Sequence, residues 1–110
     1  MAKFEVYQSG KSKDFRFRLK ADNGQTILSS EPYKTRAACL NGIESVKKNA
    51  KDPKRVNKVI TPGKMYRFAI TSANNEVIGT SQNYKSESGR NNGIDSVKRN
   101  AVKAAIKDVK

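Results

Sequence analysis

Residues 41–50 read NGIESVKKNA, and residues 92–101 read NGIDSVKRNA. The copies differ only at Glu44 against Asp95 and Lys48 against Arg99, and both exchanges keep the charge. A phrase repeated this closely marks a duplicated structural unit. Around it, 15 of the 36 positions from 15 to 50 recur, without a gap, 51 residues later. The chain is one unit written twice.

The phrase belongs to a helix. Cys39, Ile43, Val46 and Ala50 fall at i, i+4, i+7 and i+11, which is one helical face. Thr35 is placed to cap the N-terminus through its hydroxyl. Lys47, Lys48 and Lys51 come near the C-terminus, where cations favour the dipole, and Asp52-Pro53 ends the helix. In the second copy Ser86 takes the capping place. Ile94, Val97 and Ala101 keep the apolar face, with Arg90 where the first copy has Cys39. This second helix is expected to run to about Ala105, followed by a short strand over 106–109.

Strands precede each helix. Phe4 to Tyr7 alternates apolar and polar residues, and a polar loop follows over 9–14. Phe15, Phe17, Leu19 and Ala21 then share one face of a strand, with Arg16, Arg18 and Lys20 on the other. Asn23-Gly24 signals a tight type I′ hairpin, and Thr26 to Ser29 forms the returning strand. A two-residue turn there would pair Lys20 with Ile27 and place Ile27, like Ile78, on the basic face. Either both isoleucines are exposed, which would favour a protein-binding surface, or a bulge shifts the register by one. Val56 to Ile60 reads as another strand. Tyr66, Phe68 and Ile70 then replay Phe15, Phe17 and Leu19.

Two such units cannot each bury a sheet face and a helix stripe alone. The expected fold is α+β: two tandem βββα(β) repeats, about 1–51 and 52–110 of a single domain. They would share one antiparallel sheet, with both helices packed on one face and a pseudo-twofold axis between them. The two long copies, 15–50 and 66–101, with their tyrosine at 33 and 84 and the NGI-x-SV-K phrase, resemble the YegP-like family of small uncharacterised bacterial proteins. The resemblance covers residues 4 to about 101. It implies three strands, a helix and a fourth strand per repeat, with the last strands exchanged between repeats, and it implies no activity. Cys39 at the helix start and the missing apolar match to Phe4–Tyr7 at 55–58 depart from the family pattern.

Composition narrows the function classes. Lys and Arg number 23 against 10 acidic residues, a net charge of +13. The excess is even: 11 basic and 5 acidic residues up to position 51, then 12 and 5. There is no histidine and one cysteine, Cys39, so neither an internal disulfide nor a zinc site is expected. No apolar run suits a signal peptide or a membrane span, and a cytoplasmic monomer with an internal pseudo-dimer is the expectation.

No catalytic constellation emerges, and the chain reads as a non-enzyme without a cofactor. Ser45-x-x-Lys48 has the spacing of a Ser–Lys dyad, but Lys48 lies opposite the apolar face and the second copy has Arg99, which cannot act as a base. Gly42 and Gly93 flank the apolar face, where they would let the helices approach the sheet. Asn49 and Asn100 are placed to bond local backbone. The functional candidate is the basic strand. Arg16, Arg18 and Lys20 project about 6–7 Å apart, comparable to phosphate spacing, and Arg67 joins them if the sheet is continuous. Tyr7, Tyr33 and Tyr84 are the candidate stacking rings. The leading reading is a small basic binding module that takes nucleic acid or another polyanion on the open sheet face. The alternative is a protein–protein or structural adaptor that engages an acidic protein through the same face or its strand edges.

Overall fold

A computed structural model describes residues 2–109. In chain order the elements are β1 (Lys3–Gln8), β2 (Phe15–Lys20), β3 (Thr26–Ser30), α1 (Arg36–Asn49), β4 (Val56–Ile60), β5 (Tyr66–Thr71), β6 (Val77–Thr80), α2 (Glu87–Lys103) and β7 (Ala105–Asp108). A single 3-10 turn, Pro53–Arg55, separates α1 from β4. The strands form one sheet in the order β4-β5-β6-β3-β2-β1-β7. The two repeats meet at the antiparallel β3–β6 pair, and each last strand crosses over. β4, after α1, pairs with β5, while β7, after α2, pairs with β1. The crossover of β7 makes it parallel to β1, so the sheet is mixed rather than wholly antiparallel.

The core forms because both helices lay their apolar stripes on the same sheet face. Phe4, Phe17, Leu19 and Leu28 from the first half, Phe68 and Ile70 from the second, and Cys39, Ile43, Val46, Val97 and Ala101 from the helices are all buried in one cluster. Thr35 and Ser86 cap the helices as expected, accepting from the backbone N–H of Ala38 and Gly89 at 3.1 and 3.0 Å. α2 stops at Lys103, a little short of the expected end, because Ala104 turns extended to begin β7.

The glycines of the doubled phrase have a specific purpose. A Cβ on Gly42 would lie 2.2 Å from the Tyr33 hydroxyl, and one on Gly93 would lie 2.3 Å from that of Tyr84. Each tyrosine passes over its helix glycine and stacks on a core phenylalanine, Tyr33 on Phe17 and Tyr84 on Phe68, at centroid distances of 6.2 and 6.5 Å. Backbone bonds to Phe15 and Tyr66 hold the tyrosines in place.

The hairpin at Asn23-Gly24 is not the two-residue turn that the dipeptide suggests. Gly24 N–H donates to Ala21 O and Ala21 N–H to Gln25 O, and Gly24 alone takes a positive φ of 84°. This is a three-residue loop closed by a left-handed residue and a bulge. Asn75, with φ 69°, does the same in the second copy. The bulge shifts the register after Leu19 and Ile70, so Ile27 and Ile78 turn inward and are buried. The exposed isoleucine pair is therefore ruled out, and with it the argument that it lent to a protein-binding surface.

Candidate binding face

Strand alternation sends Arg16, Arg18 and Lys20 of β2 to the face that the helices leave open, because Phe15, Phe17 and Leu19 are taken by the core. The ladder adds neighbours on that face. Lys3, Glu5 and Tyr7 stand opposite Lys20, Arg18 and Arg16, and Lys107 of β7 stands beside Glu5. Arg67 is exposed on the same face of β5, three strands from β2 and so about 14 Å away at the usual spacing. The four candidate residues do share one continuous face. Arg67 stands apart from the other three.

Glu5 organises the row. Its side chain is 7% exposed and accepts from Arg18 Nε at 2.7 Å, with the Lys3 and Lys20 ammonium groups each at 3.4 Å. The Arg18 guanidinium, opposed by burial and helped by Lys20 and Lys3, brings the Glu5 carboxyl down to about 2. Arg18 also lies over the Tyr7 ring, 4.7 Å from its centroid. One carboxylate thus draws three cations together and leaves the cluster with a surplus of two positive charges. Among the described residues Arg16, Arg67 and Lys107 have no acidic partner.

The tyrosine candidates separate. Tyr33 and Tyr84 are packed between helix glycine and core phenylalanine on the covered side, so neither ring can stack a base on the open face. Tyr7 is the candidate ring left on the open side, and Arg18 already covers it.

A wide concavity lies elsewhere. A shallow polar groove of about 560 Å³ runs between α1, through Asn41, Ser45 and Lys48, and the β5–β6 hairpin at Ser72 and Asn74. Ser45 is half-buried there and Lys48 exposed, and the Ser45 hydroxyl accepts from Asn49 Nδ2 at 3.0 Å. Asn49 and Asn100 bond Ser45 O and Ser96 O at 2.8 Å, which is the local backbone role expected of them. Cys39 is fully buried, and burial pushes its thiol up to about 11, the opposite of a reactive cysteine. Among the described residues, no helix is long and apolar enough to cross a membrane.

The Glu5–Arg18 pair went unpredicted. Its signal was the alternation of KFEVYQ against FRFRLK, but six residues separate the strands and their composition does not set the register.

The doubled unit, the shared sheet and the tyrosine–glycine packing define a tandem-repeat α+β family. The chain belongs to it: the family described as "Domain of unknown function (DUF1508)" matches twice, over residues 11–56 and 63–108. The chain is 49% identical over 106 residues to a UPF0339 protein in the ptx operon 5′ region of Stutzerimonas stutzeri, covering 96% of this chain and 95% of the relative. It is 39% identical to the UPF0339 protein YegP of Escherichia coli, covering 96% and 94%. The solution NMR structure of yegP from E. coli, a protein of unknown function, superposes with a TM-score of 0.92 at 38% identity, covering 97% of this chain and 91% of that one. The UPF0339 protein of Shewanella oneidensis gives a TM-score of 0.91 at 40% identity, covering 97% and 90%. None of these names carries a reaction or a ligand.

Proposed function

We propose that the protein is a non-catalytic binding module whose open sheet face takes an extended polyanion, with nucleic acid as the leading candidate. The observation that carries this reading is the charge of the helix-free face. Lys3, Arg16, Arg18, Lys20, Arg67 and Lys107 stand there against Glu5, which pairs with three of them. Cations fixed before contact lose less side-chain entropy when a phosphate chain arrives. Recognition would rest on the backbone rather than the bases, because Tyr33 and Tyr84 are committed to the core and Tyr7 is covered.

The test is fluorescence anisotropy with a labelled twenty-nucleotide oligothymidine and a duplex of equal length, at 20 and 200 mM salt. Binding should weaken by about tenfold or more between the two salts, as counterion release requires of a few phosphate contacts. Replacing Arg16, Arg18 and Lys20 with glutamine should weaken it further than the same change at exposed Lys48, Lys51 and Lys103. No complex at 20 mM salt and micromolar protein, or equal losses for the two triple variants, would refute the reading.

A further inference from the structure

The two halves of the sheet are not completed alike. Leu19 and Ile70 are equivalent positions of the two repeats. Phe4 pairs with Leu19 and Val56 with Ile70, so Phe4 and Val56 occupy matching places on β1 and β4. On the first half Phe4 is fully buried, with the Lys47 ammonium of α1 5.9 Å from its ring, and Ile43 is fully buried as well. On the second half the smaller Val56 leaves a crevice of about 260 Å³ between β4 and α2. Ala50, Pro53, Val56 and Ile94 line it, together with Asn91, Asp95 and the two cations Lys58 and Lys98. Lys98 is the repeat equivalent of Lys47, and Ile94, the equivalent of Ile43, is only half-buried.

The edges differ in the same sense. β1 is covered by β7, which runs parallel to it with Ile106 opposite Phe4 and Asp108 opposite Val6. Asp108 is clamped by a two-pronged bond from Arg36 of α1, at 2.9 and 2.6 Å. The internal twofold predicts a corresponding strand beside β4, yet no described strand pairs with its outer edge, where the Val56 N–H is bonded back to Pro53 O.

We propose that the outer edge of β4 accepts an extended segment of an acidic partner protein. The segment adds as a parallel strand, sets a bulky apolar side chain over the crevice and, two positions on, brings a carboxylate to Lys58. β7 is the template, since Ile106 and Asp108 have this spacing on the other half. A second copy of this chain fits poorly. Two β4 strands paired about their middle would oppose Lys58 to Lys58, and two chains each carry +13. Strand addition supplies main-chain hydrogen bonds for affinity and one pocket for selectivity. This site lies on the edge and the helix side, apart from the open basic face.

The probe is a fluorescein-labelled peptide, Ser-Thr-Phe-Thr-Glu-Val-Ser, titrated against the full chain with amide chemical-shift mapping. Shifts should concentrate on residues 56–60, Ile94 and Lys98. Val56→Phe, which refills the crevice as Phe4 does, should weaken binding at least tenfold with the melting temperature held. A peptide N-methylated along its backbone should not bind, which tests the idea even if Val56→Phe fails to fold. Glutamine at Arg16, Arg18 and Lys20 should leave peptide binding unchanged, so this site and the open-face reading succeed or fail separately. Absence of binding, shifts that map to β7 or the open face, equal affinity for the methylated peptide, or self-association through β4 in sedimentation would each overturn the proposal.

Discussion

Tyr33 lies directly over Gly42, with its hydroxyl 2.2 Å from where a glycine Cβ would stand. Alanine is the better helix former by about 1 kcal/mol, so on propensity alone Gly42→Ala should stabilise α1. Here it should do the reverse. Tyr33 cannot swing away, because its backbone is bridged to Phe15 and its ring is stacked on Phe17. Overpacking of this kind costs about 1–3 kcal/mol, and the variant should be destabilised by up to about 2 in urea titration. Gly93→Ala beneath Tyr84 should behave alike, whereas Gly10→Ala, with nothing within 4 Å, should stay within about 0.5 kcal/mol of the parent.

Glu5 should be a pH-dependent strut. Its folded pKa lies below its unfolded value, so it contributes stability above about 4.5 and loses it as pH falls toward about 2. Glu5→Gln should cost about 1.5–3 kcal/mol at pH 7, the range for hydrogen bonds to charged groups. The gap between variant and parent should shrink in titrations at pH 2.5. A gap of constant size would mean that Glu5 acts through packing rather than charge.

Cys39 should resist labelling. The side chain is fully buried and its thiol is raised to about 11, so thiolate is scarce at neutral pH and the reagent cannot reach it. Modification by a maleimide should be slow in native buffer and immediate in denaturant, as followed by mass spectrometry.

Leu28 and Gly79 are equivalent positions beside the pseudo-twofold axis, and there is room for one large side chain. A Cβ on Gly79 would come within 2.8 Å of Leu28 Cδ2. Gly79→Leu should therefore destabilise the fold by about 1–3 kcal/mol. Adding Leu28→Gly should recover part of the loss, since it restores one leucine at the junction. Thermal melts of the three chains check the order.

Much of this could be read in the chain because it is local and stated twice. The apolar period from Cys39 to Ala50, the caps at Thr35 and Ser86, and the alternation over FRFRLK each follow from residues a few positions apart. The Asn23-Gly24 hairpin stays open between a two-residue turn and a bulge in the sequence for the opposite reason. The dipeptide permits more than one loop, and the choice falls to the burial of Ile27, which a two-residue turn would have left in water.

The sequence alone determined that the protein is a duplication, that each unit presents an apolar helix stripe and half-apolar strands, and that Arg16, Arg18 and Lys20 share a strand face. Those properties depend on backbone periodicity. Only the tertiary structure decided that Glu5 stands against Arg18, that β7 returns parallel to β1, and that β4 is left bare beside a crevice. Each depends on register between segments distant in the chain, and register is set by how large side chains such as Phe4 and Leu28 share one core.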